Sequence, residues 1–566
     1  MRALDRLVPK LLIVASLGAS CILAGSALAA TITIVNMDGA GEGFNDPTPA
    51  TPVGGNPGTT VGAQRLYVFQ YAAGIWGGIL PSNVEIFVQA QFDPQTCDAT
   101  TGVLGSCGAV EYFRDFVGAP LSGHWYNVAL ANRLYNSDLN PGANDINATF
   151  NSSVGSPTCL TVGWYYGVDG NEGTQIELLP VLLHELGHGL GFLTTTSGTT
   201  GSYMSSYPHI FDHYLLDNSL GLHWDQMSAA QRAASAVACK RLVWDGSWVT
   251  PRAPEFLGAK PLLRITAPAG IAGNYEVGLA SFGPPLADPG VTAQVVLAND
   301  GTGTTSDACE ALINGADVAG KIALIDRGSC TFVIKVKNAQ NAGAVGVIIV
   351  DNVAGCPPPG LGGTDETIVI PVVRVTQADG NLIRANIASG VMATLTTDPS
   401  LLAGADAIRR VMMYSPSIYQ GGSSVSHWDV SASPDLLMEP AINNSLSSSV
   451  DLTKWNFADI GWFQGRLAAP EPPPVATRLR GNAPNPFNPS TAIHFSLERE
   501  QPVDLAVYDL NGRLVAHLHR GPMNAGAHSI EWNGRDQGGN LMPPGVYVCR
   551  LRAGALAESR HMVLSR

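Results

Sequence analysis

Hydrophobic positions change rhythm several times along the chain, and each change marks a different part. Leu66 to Ile79 repeats apolar residues at helical spacing and predicts an amphipathic helix, while Val84 to Phe92 alternates as a strand does. Between 256 and 398 the pattern turns to short β runs parted by glycines: Gln294 to Leu297, Ile322 to Ile325, Val345 to Val350 and Ile368 to Val373. This texture predicts an α/β module inserted in a mixed α/β domain. From 403 to 465 Trp, Tyr and Met return among Ser and Gly loops, closing with a helix predicted over Asp451 to Ile460. Pro470, Pro472, Pro473 and Pro474 then stiffen a linker over 468–476. The remainder alternates as strands with turns at Asn511-Gly512, Asn533-Gly534 and Gly538-Gly539, the pattern of a small β-sandwich.

The N-terminus follows a different logic. Arg2, Arg6 and Lys10 precede the apolar run Leu11 to Gly25, and Ala27-Leu28-Ala29 supplies small residues for cleavage. That is the order of a signal peptide over 1–30, with the mature chain starting near Ala30 or Thr31. Cys21 raises the alternative of a lipid anchor, but Gly18 stands where a lipobox favours leucine. No other apolar stretch is long enough for a transmembrane segment. The expected location is secreted, extracellular or at the cell surface.

Composition narrows the partners. The 566 residues allow roughly three or four domains. Only 14% are charged, and the formal net charge is −14, so there is no broad basic surface and nucleic acid is not an expected partner. Eight cysteines remain beyond Cys21 in an oxidising compartment, where disulfides are expected. Cys97 and Cys107 enclose a short loop, and Cys159 with Cys239 is a second candidate pair. The absence of any C-x-x-C spacing argues against cysteine as a metal ligand.

The sharpest chemical signal is His184-Glu185-Leu186-Gly187-His188, behind the apolar stretch Ile176 to Leu183 with Pro180 in the first helical turn. Histidines four apart share one helix face and can bind one ion, and the glutamate between them is placed as general base for a water activated by that ion. Zn²⁺ suits neutral imidazoles and a site with an open position. Gly191 lets the chain leave the helix sharply. A third ligand is required, and Thr194 occupies the place where a compact H-E-x-x-H-x-x-G-x-x-H pattern would put it. His209, Asp212, His213, Asp217 and His427 are the candidates.

His427 lies in Gly422-Ser423-Ser424-Val425-Ser426-His427-Trp428-Asp429, followed by Leu437-Met438-Glu439-Pro440 and Phe457-Ala458-Asp459-Ile460-Gly461-Trp462. These segments resemble the leishmanolysin-type metzincins. The resemblance implies zinc on His184, His188 and His427, Glu185 as catalytic base, and Met438 in the methionine turn beneath the metal. The 239 residues between His188 and His427 exceed the spacing of that group. An insert accounts for the excess: Gly320-Lys321-Ile322-Ala323-Leu324-Ile325-Asp326-Arg327-Gly328, then Lys335 to Val350, resembles the protease-associated (PA) domain, which is non-catalytic. Asp326 and Arg327 are expected to fix a turn, and the polar face of the helix Phe332 to Ala342, with Lys335, Lys337, Asn338 and Asn341, to be solvated. Cys309 and Cys330 form a further candidate disulfide.

From Asn482 onward, Asn-Ala-Pro-Asn-Pro-Phe-Asn-Pro-Ser-Thr and the later Val507-Tyr508-Asp509-Leu510-Asn511-Gly512 resemble FlgD-like immunoglobulin and type IX sorting tails. The resemblance implies a β-sandwich and contact with secretion machinery or the cell surface. Asp504, Asp509 and Asp536 are candidates for Ca²⁺, although such acids also form turns.

The expected fold is multidomain α/β plus β. A metzincin-like catalytic domain over 31–255 and 401–466 is interrupted by a PA domain over 256–400. A linker over 467–478 and a β-sandwich over 479–566 follow. The expected function is a secreted zinc endopeptidase acting on protein or peptide substrates. The alternative is a non-catalytic adhesion or binding protein with a degenerate structural metal site.

Overall fold

The computed structural model describes residues 29–441, 449–464 and 477–565, apart from 484, 498, 500, 511, 524, 525 and 555. The expected signal peptide up to residue 28, Cys21, the proline-rich stretch 468–476 and Asn511 therefore lie outside the described residues. Two compact units divide after Ala468.

In the first unit, the host domain opens with strand Ile32–Asn36 and helix Val61–Ile79. The helix starts earlier than its apolar rhythm predicts. Thr60 caps it by accepting from the Ala63 amide, and the first turns bury Gln64 and Arg65, which donate to the Thr51 and Gly43 carbonyls. Paired polar groups in a core do not register as hydrophobic positions. A four-stranded sheet follows in the order Ile32–Asn36, Ile86–Asp93, Ile146–Asn151, Gly105–Ala109. The first three strands run parallel, and the edge strand Gly105–Ala109 pairs antiparallel. Helix Leu178–Leu190, carrying the two histidines, packs against this edge strand.

One hydrophobic core runs through both sequence-distant pieces of the host: Trp76, Leu183, Phe192, Trp428, Met438 and Trp462 belong to it. The insert keeps separate cores. Its central strands alternate faithfully, with Ile322, Leu324 and Ile348 on one face of the sheet and Ala323, Ile325 and Ile349 on the other. Strands Val291–Leu297, Ile322–Asp326, Gly346–Val350 and Val372–Val375 run parallel, and helices Phe332–Asn341 and Gln377–Asn386 pack on opposite faces. The insert enters and leaves by neighbouring antiparallel strands, Ala259–Ala267 and Met392–Leu402, with Ala259 opposite Leu402. Ends this close allow a folded module to occupy a loop of its host.

Two features of the insert differ from expectation. The run Ile368 to Val373 becomes a strand only at Val372, because Pro371 has no amide to give the ladder; Ile368 and Ile370 are nonetheless buried in the core. Lys335 is not solvated: its fully buried side chain donates from Nζ to the Asp307 carbonyl at 2.6 Å, and Asn338 donates to the Ala308 carbonyl. Asp326 and Arg327 act structurally, Asp326 accepting from Ser306 and Arg384 and Arg327 pairing with Asp351.

The disulfides are Cys97–Cys159, Cys239–Cys356 and Cys309–Cys330. The last is the expected pair, and the pairings Cys97–Cys107 and Cys159–Cys239 are corrected. Cys107 lies within the edge strand facing Gly189 of the histidine helix, and the chain brings Leu160 beside Asp98, delivering Cys159 to Cys97 instead. Cys239–Cys356 ties the host to the insert.

Among its described residues, the second unit has seven strands in two antiparallel sheets around one core containing Phe495, Leu505, Trp532 and Leu551. Asp504, Asp509 and Asp536 form no metal-binding group among the described residues. Asp504 pairs with His517, Asp509 accepts from the Arg513 amide, and Asp536 accepts from the Gly538 and Asn540 amides. The calcium expectation is corrected accordingly: these acids close turns and pair locally. No helix among the described residues is long and apolar enough to cross a membrane.

Candidate metal centre

Helix Leu178–Leu190 is held from several sides. Trp76 donates its indole N–H to the Leu183 carbonyl, Trp462 to the Leu190 carbonyl, and Asn127 to the Gly189 carbonyl. The last two satisfy carbonyls that a helix C-terminus leaves without partners. Gly191 then ends the helix at φ +132°, where a side chain would be strained and would collide with Ile460. The chain doubles back, so that the Phe192 carbonyl reaches His188.

His184, His188 and His427 converge. Their Nε2 atoms lie 3.1 Å (184–188), 3.1 Å (184–427) and 3.2 Å (188–427) apart. Each Nδ1 is within hydrogen-bond distance of a backbone carbonyl: Leu437 at 2.7 Å, Phe192 at 2.7 Å and Ser423 at 2.8 Å, respectively. Donation from Nδ1–H fixes the tautomer and turns all three Nε2 lone pairs toward one point. Burial holds all three imidazoles neutral, His184 near 3, His188 near 4 and His427 well below its ordinary value. Nitrogens around a tetrahedral zinc at ~2.0–2.1 Å lie roughly 3.3 Å from one another, so the donor set fits such an ion with little adjustment.

Glu185 points from the same helix toward the edge strand, where the Cys107 amide donates to its carboxylate; burial raises its pKa to about 8. Met438 is fully buried beneath the helix, and a Cβ on Gly187 would come within 2.7 Å of its Sδ. The segment bearing His427 is locally strained: Val425 is β-branched, buried and held at φ +75°, a conformation costing about 1–3 kcal/mol. Its amide donates to the Tyr414 carbonyl, which locks the turn.

The other candidates for the third position are engaged elsewhere. His209 is at 2.8 Å from the Asn127 amide oxygen. Asp212 accepts from the Thr194 and Thr196 hydroxyls and the His209 amide. Asp217 closes a turn with Ser219, and His213 lies beside Asp225. Thr194 has a structural use of its own, its amide donating to the Ser426 hydroxyl next to His427. The three carbonyls behind the histidines carry no side-chain signature, so the sequence could not have announced them. His124 and Asp225 also escaped notice, being 101 residues apart with no motif between them.

The chain contains a PA domain, matched over residues 291–383, and a FlgD Ig-like domain, matched over residues 483–555. Vacuolar-sorting receptor 3 of Arabidopsis thaliana is 29% identical over 155 residues, a quarter of this chain and a quarter of the receptor. Leucine aminopeptidase 2 of Arthroderma otae is 38% identical over 110 residues, 19% of this chain and 20% of that protein. Among solved structures, the aminopeptidase from Aneurinibacillus sp. strain AM-1 is 20% identical over 34% of this chain and 42% of its own, with a TM-score of 0.20. The chain thus spans about a quarter or less of the length of these sequence relatives.

Proposed function

We propose that this chain is an exported zinc endopeptidase of leishmanolysin-like metzincin type, hydrolysing internal bonds of protein or peptide substrates. The observation that carries the reading is the meeting of three Nε2 atoms within 3.1–3.2 Å, drawn from positions up to 243 residues apart, with Glu185 on the same helix. Zinc bound by His184, His188 and His427 would supply a Lewis acid for the scissile carbonyl and acidify the attacking water. Glu185 would take a proton from water as a carboxylate, the form that a neighbouring divalent charge favours against the effect of burial, and pass it to the leaving nitrogen. The Cys107 amide orients the carboxylate, and the Leu437, Phe192 and Ser423 carbonyls orient the imidazoles. Met438 supports the helix from below, as the methionine turn.

The remaining divisions follow from this reading. The PA domain is an insert over about residues 256–400 that leaves the catalytic parts 31–255 and 401–466 as one body. The leucine aminopeptidase relative is a peptidase by name and agrees in class. Three disulfides suit an oxidising compartment outside the cytosol.

The test is casein hydrolysis by the purified chain, abolished by a chelator and restored by Zn²⁺. In parallel, zinc content and hydrolysis are compared in His427→Ala and Asp212→Ala. Loss of hydrolysis with His427→Ala, together with release of the catalytic zinc, is expected. Full activity in that variant overturns the ligand set. An inert but zinc-loaded wild-type chain would favour the binding protein.

A further inference from the structure

A second cluster of nitrogen and oxygen donors lies outside the triad of histidines. His124 precedes the short strand Tyr126–Asn127, His213 ends the turn Ile210–His213, and Asp225 lies in the turn Trp224–Gln226. Their ligand atoms all fall within 4.8 Å of one another. Asp225 Oδ2 is 2.7 Å from His213 Nδ1 and 3.4 Å from His124 Nε2. The other oxygen, Oδ1, is buried and has no hydrogen-bond partner.

The tautomer of His124 gives the cluster its meaning. Its Nδ1 is 3.0 Å from the Ser122 carbonyl, an acceptor only, so Nδ1 carries the proton. Nε2 is then the nitrogen that faces the carboxylate at 3.4 Å, as a donor in the imidazolium and as a bare lone pair in the neutral ring. A divalent cation between them can take the place of that proton, and two imidazoles with one carboxylate form a common donor set for divalent transition metals.

We propose that His124, His213 and Asp225 bind a second divalent ion of the zinc class, separate from the ion of the peptidase site, and that it staples the loops bearing these residues. The donors come from three loops that no disulfide among the described cysteines connects. The side chains of His124 and Asp225 are 14% and 12% exposed, whereas His213 is 37% exposed, so an ion has a way in from the His213 side. Zinc–nitrogen and zinc–oxygen bonds of ~2.0–2.2 Å put ligand atoms roughly 3.3 Å apart, so the three side chains would adjust their spacing around the ion.

The full chain is stripped with chelator, loaded with Zn²⁺, desalted and analysed for metal per chain. Wild type is expected to hold two ions, His427→Ala one, and Asp225→Asn, which preserves side-chain volume, one. The double variant His427→Ala/His213→Ala is expected to hold none, and far-UV circular dichroism checks that each variant is folded. Zinc content in Asp225→Asn equal to wild type overturns the proposal. So does a folded His427→Ala chain without zinc, or one whose remaining ion survives His213→Ala. If the single ion of the wild type disappears with Asp225→Asn but survives His427→Ala, the second site stands and the peptidase reading falls.

Discussion

Among the inner strands of the insert, parallel neighbours are near in sequence, while Ala259–Ala267 and Met392–Leu402 pair across the whole module. Ile322–Asp326 and Gly346–Val350 are adjacent parallel strands joined by one helix, and their alternating side chains fill the cores on both faces. The host works the other way. Trp76, Leu183, Met438 and Trp462 share one core, and the candidate metal centre joins a helix to a loop 239 residues further on. The difference teaches that a module with its own cores and adjoining ends can occupy a loop, while a site made from distant segments depends on the framework that joins them. Substitutions in the framework that joins these segments should consequently disturb folding and, through it, chemistry, whereas those at the junction should affect stability alone.

The largest effect belongs to Glu185. Glu185→Gln retains the histidines and their carbonyl partners but removes the proposed base, so casein hydrolysis should fall by ~10²–10⁴-fold at unchanged zinc content. Activity within a few-fold of wild type would mean that the base lies elsewhere.

Next comes the support below the helix. Met438→Ala empties a fully buried position and should cost about 2–5 kcal/mol in denaturant unfolding. Gly187→Ala brings a methyl against the Met438 sulfur and should destabilise alone, yet much less in the Met438→Ala background. Strictly additive costs would show that the two positions do not press on one another.

The junction offers a smaller change. Cys239–Cys356 is the one disulfide among the described cysteines that ties host to insert, so Cys239→Ser with Cys356→Ser should lower stability by about 2–4 kcal/mol without altering zinc content or the peptidase rate. A loss of metal in this variant would show that the insert helps to hold the site together.

What the sequence disclosed follows the same division. The inner strands and the helix Phe332–Asn341 of the insert were legible because alternation and turn residues are local signals; Pro371 removed an amide from one ladder, and the strands Ala259–Ala267 and Met392–Leu402 and the helix Gln377–Asn386 went unpredicted. His184, Glu185 and His188 were legible because one helical turn imposes their spacing. His427 entered through a resemblance, since no periodicity relates it to the helix. Lys335 was misread because a buried lysine satisfied by a loop carbonyl has the same sequence pattern as a solvated one. The partners of Cys97 and Cys239 depend on loop paths that cysteine counting does not contain.

The last prediction concerns pH and a host carboxyl that also joins distant segments. Asp459, on the closing helix Thr453–Ile460, accepts from the indole N–H of Trp244 and the amides of Trp248 and Val249, more than two hundred residues earlier. Burial raises its pKa to about 7, a rise these hydrogen bonds only partly offset. An acid raised on folding binds its proton more tightly in the native chain than in the unfolded one. Its stabilising contribution is therefore full below the unfolded value of ~4 and is lost as pH climbs through the folded value near 7. Asp459→Asn cannot titrate, so between about pH 4.5 and 7.5 its stability should decline less than that of wild type, although the lost acceptor lowers it at every pH. Denaturant unfolding at the two pH values measures the difference. Parallel curves for wild type and Asp459→Asn would show that Asp459 is ionised throughout, with its three donors outweighing its burial.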